Sequence, residues 1–361
     1  MRLLPKSNGF RIFYIIIFIL LIVFLSTKVP FLFTPIAAMI KYMLLPIALS
    51  GFFYYLFRPI IDYLSSKKLN RMCSVLLLYL TITLLIGLFS IAGWPTLQSQ
   101  IEMFLANLPD LMNEFNQQWT NFQREPFVFG VLGDETVMTA ITEYLNSGIT
   151  KATDYVVNFV SAITRFVIVI VTVPVILYYM LKEGEKMIPA ILKMIPKRFR
   201  ADGQEVIEEM DEMLSSFIVG RVLICFLLGA MVFIGFLIIG LPYALLLSIL
   251  TAVLNMIPYI GPILAAIPCV LIGFIESPSM AVWTLVIIIV AQQIENNLLT
   301  PVIYGKQMDI HPVTTIVLLL IAGDIAGILG MLLIVPVYMM GKIIFLKVYD
   351  LFIKEWMEKP V

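Results

Sequence analysis

The chain contains one histidine, His311, and three cysteines, Cys73, Cys225 and Cys269, each in a separate apolar run. No histidine-rich metal centre, paired-cysteine zinc site or Cys-x-x-Cys redox motif can be built from that stock, and the thiols read as small apolar residues. Catalytic signatures are missing too. There is no His-Glu-x-x-His, no Gly-x-Ser-x-Gly and no Walker A loop, and Ile321-Ala322-Gly323-Asp324 lacks the first glycine of an intramembrane aspartyl protease. The sequence therefore predicts no enzyme, no cofactor, no metal and no direct use of ATP. Charge is the third shortage: 13% of the 361 residues are charged, where about a quarter is usual in soluble domains. Lys plus Arg and Asp plus Glu balance at 24 each, so no basic excess points to nucleic acid.

Hydrophobicity fills the chain instead, with 61% apolar residues and a mean hydropathy of +0.99. One or two globular cores of this length cannot hide that much apolar surface, so the lipid bilayer is the solvent for most of it. A helix needs about 20 apolar residues to cross about 30 Å of hydrocarbon. Runs of that kind fall at 12–27, 34–57, 72–93, 155–181 and 217–240. Arg2, Lys6 and Arg11 before the first run imitate a signal peptide, but no small-residue cleavage site follows, so it reads as a retained helix. The stretch 222–275 carries no charge at all. Proline and glycine break it at Leu241-Pro242-Tyr243 and at Asn255-Met256-Ile257-Pro258-Tyr259-Ile260-Gly261-Pro262. The halves 244–257 and 263–275 form either one kinked helix or a re-entrant hairpin. Beyond them come 280–294, the polar Glu295-Asn296-Asn297, and a last run, 313–341, interrupted at Gly323-Asp324.

Positive charge sets the expected orientation. Basic residues cluster at the amino end, after the second run (Arg58, Lys67, Lys68, Arg71), after the fourth (Lys182, Lys186, Lys193, Lys197, Arg198, Arg200) and in the tail (Lys342, Lys347, Lys354, Lys359). The connection 95–154 carries Arg124 and Lys151 against eight acidic residues, among them Glu102, Asp110 and Glu114, and belongs outside. Both termini are then cytoplasmic. Leu97, Ile101, Leu105, Leu108, Met112, Phe115, Trp119 and Phe122 recur at helical steps in the outer connection, an apolar stripe that needs a partner. The candidates are the second amphipathic piece 137–149, another copy of the chain, or the membrane surface. The expected organisation is membrane helices over 1–94, an extracytoplasmic segment over 95–154, and a fourth membrane helix over 155–181. A cytoplasmic amphipathic segment over 182–216, a membrane core with broken helices over 217–346 and a cytoplasmic tail over 347–361 complete it. The fold class is an all-α polytopic membrane protein with about eight membrane-embedded helical segments, some broken or re-entrant, and a helical extracytoplasmic insertion.

Several strings in order resemble the AI-2E transporter family across nearly the whole chain. They are Phe57-Arg58-Pro59-Ile60-Ile61-Asp62-Tyr63-Leu64, Tyr178-Tyr179-Met180-Leu181-Lys182-Glu183-Gly184, Gly220-Arg221, the 255–262 break, and Leu299-Thr300-Pro301-Val302-Ile303-Tyr304-Gly305 with His311-Pro312. The resemblance implies a homo-oligomeric transporter of a bacterial plasma membrane that exports the quorum-sensing signal autoinducer-2 or exchanges sodium for protons. Asn255 and Asp324 stand where variation is expected, so the substrate does not carry across.

Ionisable groups inside a span are functional candidates by default. Arg221 reads as a helix anchor or as part of a site. Glu295, among Gln292, Asn296 and their neighbours, offers a carboxylate and amides suited to a small polyol or a sodium ion, or marks a polar helix end. Asp324 could take up a proton or coordinate Na⁺ at a helix break, or sit in an ordinary turn. Pro258, Gly261 and Pro262 would bend the chain at the pathway, since unwound backbone at membrane depth must line a cavity or lie buried in protein. The expected function is export of a small hydrophilic solute, with a Na⁺(Li⁺)/H⁺ antiporter and a non-transporting oligomeric scaffold as rivals.

Overall fold

The computed structural model describes residues 30–123, 167–305 and 310–350, with a few single positions between 14 and 24. Among these residues there are helices and turns and no strand. The expected first crossing, the piece 137–149 and the end of the tail lie outside the described residues. The chain is an all-α polytopic membrane protein. Five described helices are long and apolar enough to cross a membrane: Met43–Ser66, Arg71–Ala92, Lys197–Ile239, Pro278–Tyr304 and Pro312–Val348.

Helix α1 (Pro30–Ser66) turns through Lys68, at φ 71°, into α2 (Arg71–Ala92). Only Ser74, Val75 and Leu78 of α2 are buried, while Leu80, Leu84, Ile86 and Ile91 are exposed. A helix that is apolar all round with so little protein cover is one that lipid surrounds. Helix α4 (Val167–Met194) packs along α1. Ser50 Oγ of α1 donates to the Val173 carbonyl of α4 at 3.2 Å, and Tyr79 Oη of α2 to the Pro174 carbonyl at 2.7 Å, polar staples of the kind that hold membrane helices together. The expected change of environment at residue 181 is not a helix end, because α4 runs on to Met194.

Helix α3 (Trp94–Gln123) starts directly after α2 and carries the apolar stripe. Its partner lies within the chain. Phe104 stacks edge-on against Tyr243, Phe115 and Trp119 close on Phe274, and Gln100 Oε1 accepts the Leu246 amide at 3.0 Å. Helix α3 thus packs against Tyr243, Leu246 and Phe274 of the segments that follow.

Helix α5 (Arg200–Ile239) continues from the charged segment straight into the membrane and touches most other elements. Gly240 ends it in the left-handed conformation at φ 68°, with its amide and that of Leu241 returning to α5 carbonyls. Helices α6 (Ala244–Leu254), α7 (Ile260–Glu276) and α8 (Pro278–Ile294) then run back and forth. Thr251 Oγ1 and Cys269 Sγ stand 3.7 Å apart, whereas one continuous helix would separate these residues by about 27 Å. The first broken segment is therefore a hairpin rather than a kinked span. At its turn a Cβ on Gly261 would collide with the Leu254 carbonyl. Ser277 caps α8, its Oγ accepting the Met280 amide at 3.1 Å.

After α8 the chain makes a π turn, Glu295–Leu299, and a short helix, α9 (Thr300–Tyr304). Helix α10 (Pro312–Val348) is broken at Gly327, whose φ of 62° and ψ of −147° are not helical. Glycines at 323 and 330 let the two arms close: a Cβ on Gly330 would strike the Ala322 carbonyl, and one on Gly323 the Met331 side chain. The expected interruption at Gly323-Asp324 is corrected here, because both residues remain helical. Aspartate continues a helix without difficulty, whereas the backbone reverses at a φ/ψ that essentially only glycine adopts.

Candidate functional site

Three pieces of the chain meet on one face of α5: the α6–α7 turn, the π turn after α8, and the short helix α9. Arg221 sits on that face, 8% exposed. The residue before it is glycine, and a Cβ there would lie 2.5 Å from the Tyr304 ring, so the small residue admits α9 beside the guanidinium. Arg221 Nη1 donates to Glu295 Oε1 at 3.2 Å, and Nη2 donates to the Asn255 backbone carbonyl. Asn255 Nδ2 donates to Glu295 Oε2 at 3.0 Å. The three residues close a ring of hydrogen bonds, with Glu295 4% and Asn255 0% exposed.

The energetics of that ring are steep. Each buried ion costs several kcal/mol to desolvate, and the attraction repays this only when geometry and further hydrogen bonds are good. Here both carboxylate oxygens are used, while Arg221 Nε and Asn255 Oδ1 have no hydrogen-bond partner among the described residues. A fully buried polar group without a partner calls for strain, a functional role or a bound water or ion to account for it.

A cavity of about 330 Å³ opens beside the ring, within the size range of small-molecule pockets. Helix α5 lends it Phe217 and Arg221, the α6–α7 turn lends Pro258, Tyr259 and Pro262, and the α8 end with the π turn lends Gln292, Glu295 and Asn296. Thr315 and Val335 come from the two arms of α10. In a straight helix those two residues would stand about 30 Å apart, so their shared wall again shows that α10 doubles back.

Most sequence candidates are thus brought together, by two routes. Arg221, Glu295, Gln292, Asn296, Pro258 and Pro262 line the cavity, while Asn255 acts through the ring and Gly261 through the tightness of the hairpin. Asp324 does not join them. It is exposed in the first arm of α10, three residues before the break, and is absent from the cavity wall. The amides next door divide as well: Gln293 and Asn297 bond to each other at 2.9 Å among exposed residues. Tyr304, Thr315, Phe217 and Val335 were not anticipated. Tyr304 lay within a family-like string, but Thr315 and Val335 look like ordinary span residues and gave no signal.

A larger groove of about 1020 Å³ lies elsewhere, between the ends of α1, α4, α5 and α10. Its charges already have partners. Arg58 meets Asp211 at 2.5 Å and Asp62 at 3.4 Å, Arg71 meets Glu185 and Asp62, and Lys347 meets Glu205 at 2.6 Å and Asp202 at 3.4 Å. These bridges tie helices together around an apolar floor, so the smaller cavity with the buried ring is the better candidate. No group of three metal-ligating side chains occurs among the described residues.

A family model described as AI-2E family transporter matches residues 12–350. Among curated proteins, the candidate transport protein YueF of Bacillus subtilis is 37% identical over 344 residues, covering 93% of this chain and 92% of that protein. The candidate transport protein YrrI of the same organism is 30% identical over 332 residues, covering 89% and 91%. The candidate permease PerM of Escherichia coli K12 is 25% identical over 256 residues, covering 69% and 67%.

Proposed function

The chain belongs to the AI-2E transporter family, and from that premise we propose that it moves a small hydrophilic solute across a bacterial plasma membrane through the cavity beside Arg221, Asn255 and Glu295. The observation that carries this reading is the buried Arg221–Glu295 pair on the wall of a ligand-sized cavity. Broken helices that leave irregular backbone at a membrane-embedded cavity are the usual construction of a secondary-transport site. Hydroxyl groups suit the donors and acceptors on that wall, and autoinducer-2, the solute that the family resemblance suggests, is small and hydroxyl-rich.

Glu295 favours one further reading, a Na⁺(Li⁺)/H⁺ antiporter, because a carboxylate on a cavity wall can exchange a proton for a cation. Asp324, outside the cavity, lends that reading no support. Reconstitution into liposomes separates the two when efflux of the signal and sodium-driven proton movement are measured side by side. Solute efflux without proton movement is the expected result. Movement of neither would overturn transport through this cavity and leave an oligomeric scaffold.

A further inference from the structure

We infer that the solute reaches the Arg221 cavity between α5 and the second arm of α10, and that Met213, Phe217 and Met339 close this route; the inference rests on the transport reading above. A second cavity, of about 360 Å³, is bounded by Glu209, Glu212 and Met213 of α5, by Ile310, and by Met339 and Lys342 of α10. Ile310 also lines the polar cavity, so the two spaces share a wall. The larger groove shares no lining residue with the polar cavity.

Between the two spaces the fill is apolar. Met213, Phe217 and Met339 are 9%, 5% and 8% exposed and belong to one cluster with Tyr304 and Val335. Phe217 stacks on Tyr304 with ring centroids 6.2 Å apart. Along α5, Glu209, Met213, Phe217 and Arg221 recur every fourth residue, so one face of the helix presents an acidic mouth, an apolar plug and then the guanidinium. That lane spans about 18 Å.

The plug has the chemistry of a gate for a hydrated solute. An apolar constriction excludes water until it widens, and methionine, unbranched with three rotatable bonds, can swing aside without disturbing a helix. Among the described residues the mouth is lined by two carboxylates and one ammonium, a balance that disfavours anions and suits uncharged or cationic solutes.

The test is cysteine accessibility in a chain lacking Cys73, Cys225 and Cys269. Thr315→Cys, on the wall of the polar cavity, is exposed to a cationic, membrane-impermeant methanethiosulfonate in inside-out vesicles. Met213→Ala with Met339→Ala should raise the labelling rate by about tenfold, equivalent to about 1.4 kcal/mol off the cost of opening. Ile234→Ala, on an exposed face of α5 away from the route, should leave it unchanged. If the double variant does not purify as a single species, Met339→Ala alone should give a smaller rise. An unchanged rate, or an equal rise in right-side-out vesicles, would overturn the route. Labelling requires no transport, so absence of flux in liposomes refutes the transport reading while the rate comparison still decides the route.

Discussion

Replacing Arg221 and Glu295 singly and together separates a structural staple from a working site. The two side chains are 8% and 4% exposed, and removing one member of a buried ion pair costs about 3–5 kcal/mol because the other charge stays behind. Arg221→Met leaves the buried Glu295 carboxylate with the Asn255 amide but no cation, and Glu295→Leu leaves the buried guanidinium with the Asn255 carbonyl but no anion. Replacing both removes both charges, and what remains is the loss of partners for Asn255, worth about 1–3 kcal/mol. The singles together would sum to about 6–10 kcal/mol, so the cycle should show a coupling of at least about 3 kcal/mol. At roughly 2 °C per kcal/mol for a chain of this size, each single variant should melt about 8 °C below wild type. The double variant should melt about 4 °C below wild type, recovering about half of that loss. Melting is followed in detergent and flux in liposomes on the same preparations, and the double variant should be stable yet inactive. Additive melting shifts would refute the buried contact. Wild-type flux in the double variant would make the pair a staple without a role in transport.

Three further outcomes follow from backbone geometry and charge. Gly261→Ala should destabilise by about 2 kcal/mol or more, because its Cβ meets the Leu254 backbone rather than a movable side chain; melting no lower than wild type would remove the tight hairpin. Gly327→Ala should cost about 1–3 kcal/mol at φ 62°, whereas Gly323→Ala, facing the flexible Met331, should cost less; equal losses would refute Gly327 as the turn. Thiol labelling of intact cells should modify Asn113→Cys on the exposed face of α3 and spare Gly203→Cys at the start of α5, and the reverse pattern would invert the orientation drawn from charge.

The membrane elements were legible wherever composition alone decides. The charge-free run at 72–93 is α2 within a residue at each end, since nothing but lipid needs to be inferred. The prolines and glycine near 258 marked a real break, and the candidates Arg221, Asn255 and Glu295 do meet. That they bond to one another was not legible, because the contacts join residues 34, 40 and 74 positions apart and no local pattern records such pairing. Gly327 escaped notice beside the conspicuous Gly323-Asp324. Glycines at 323, 327 and 330 look alike in a sequence, and only the backbone angle tells the one that turns from those that admit a neighbouring arm. The stripe on α3 was visible, but its seat on Tyr243 and Phe274 required the folded α5–α8 core to exist first.

The π turn at Glu295 sets the phase of everything after it. In an uninterrupted α-helix each residue advances about 100°, so Tyr304, nine positions beyond Glu295, would point to the opposite side of the cylinder. Five residues wound with i to i+5 hydrogen bonds lag by roughly 90° in total, and that lag swings Thr300 and Tyr304 back toward the cavity that Glu295 already faces. The turn therefore works as a cam: the same side chains, rewound by one residue, would face lipid. Deleting one residue among Asn296, Asn297 and Leu298 would restore the ordinary winding, carry the Tyr304 ring off Phe217, and leave Arg221 with its carboxylate but without its aromatic wall.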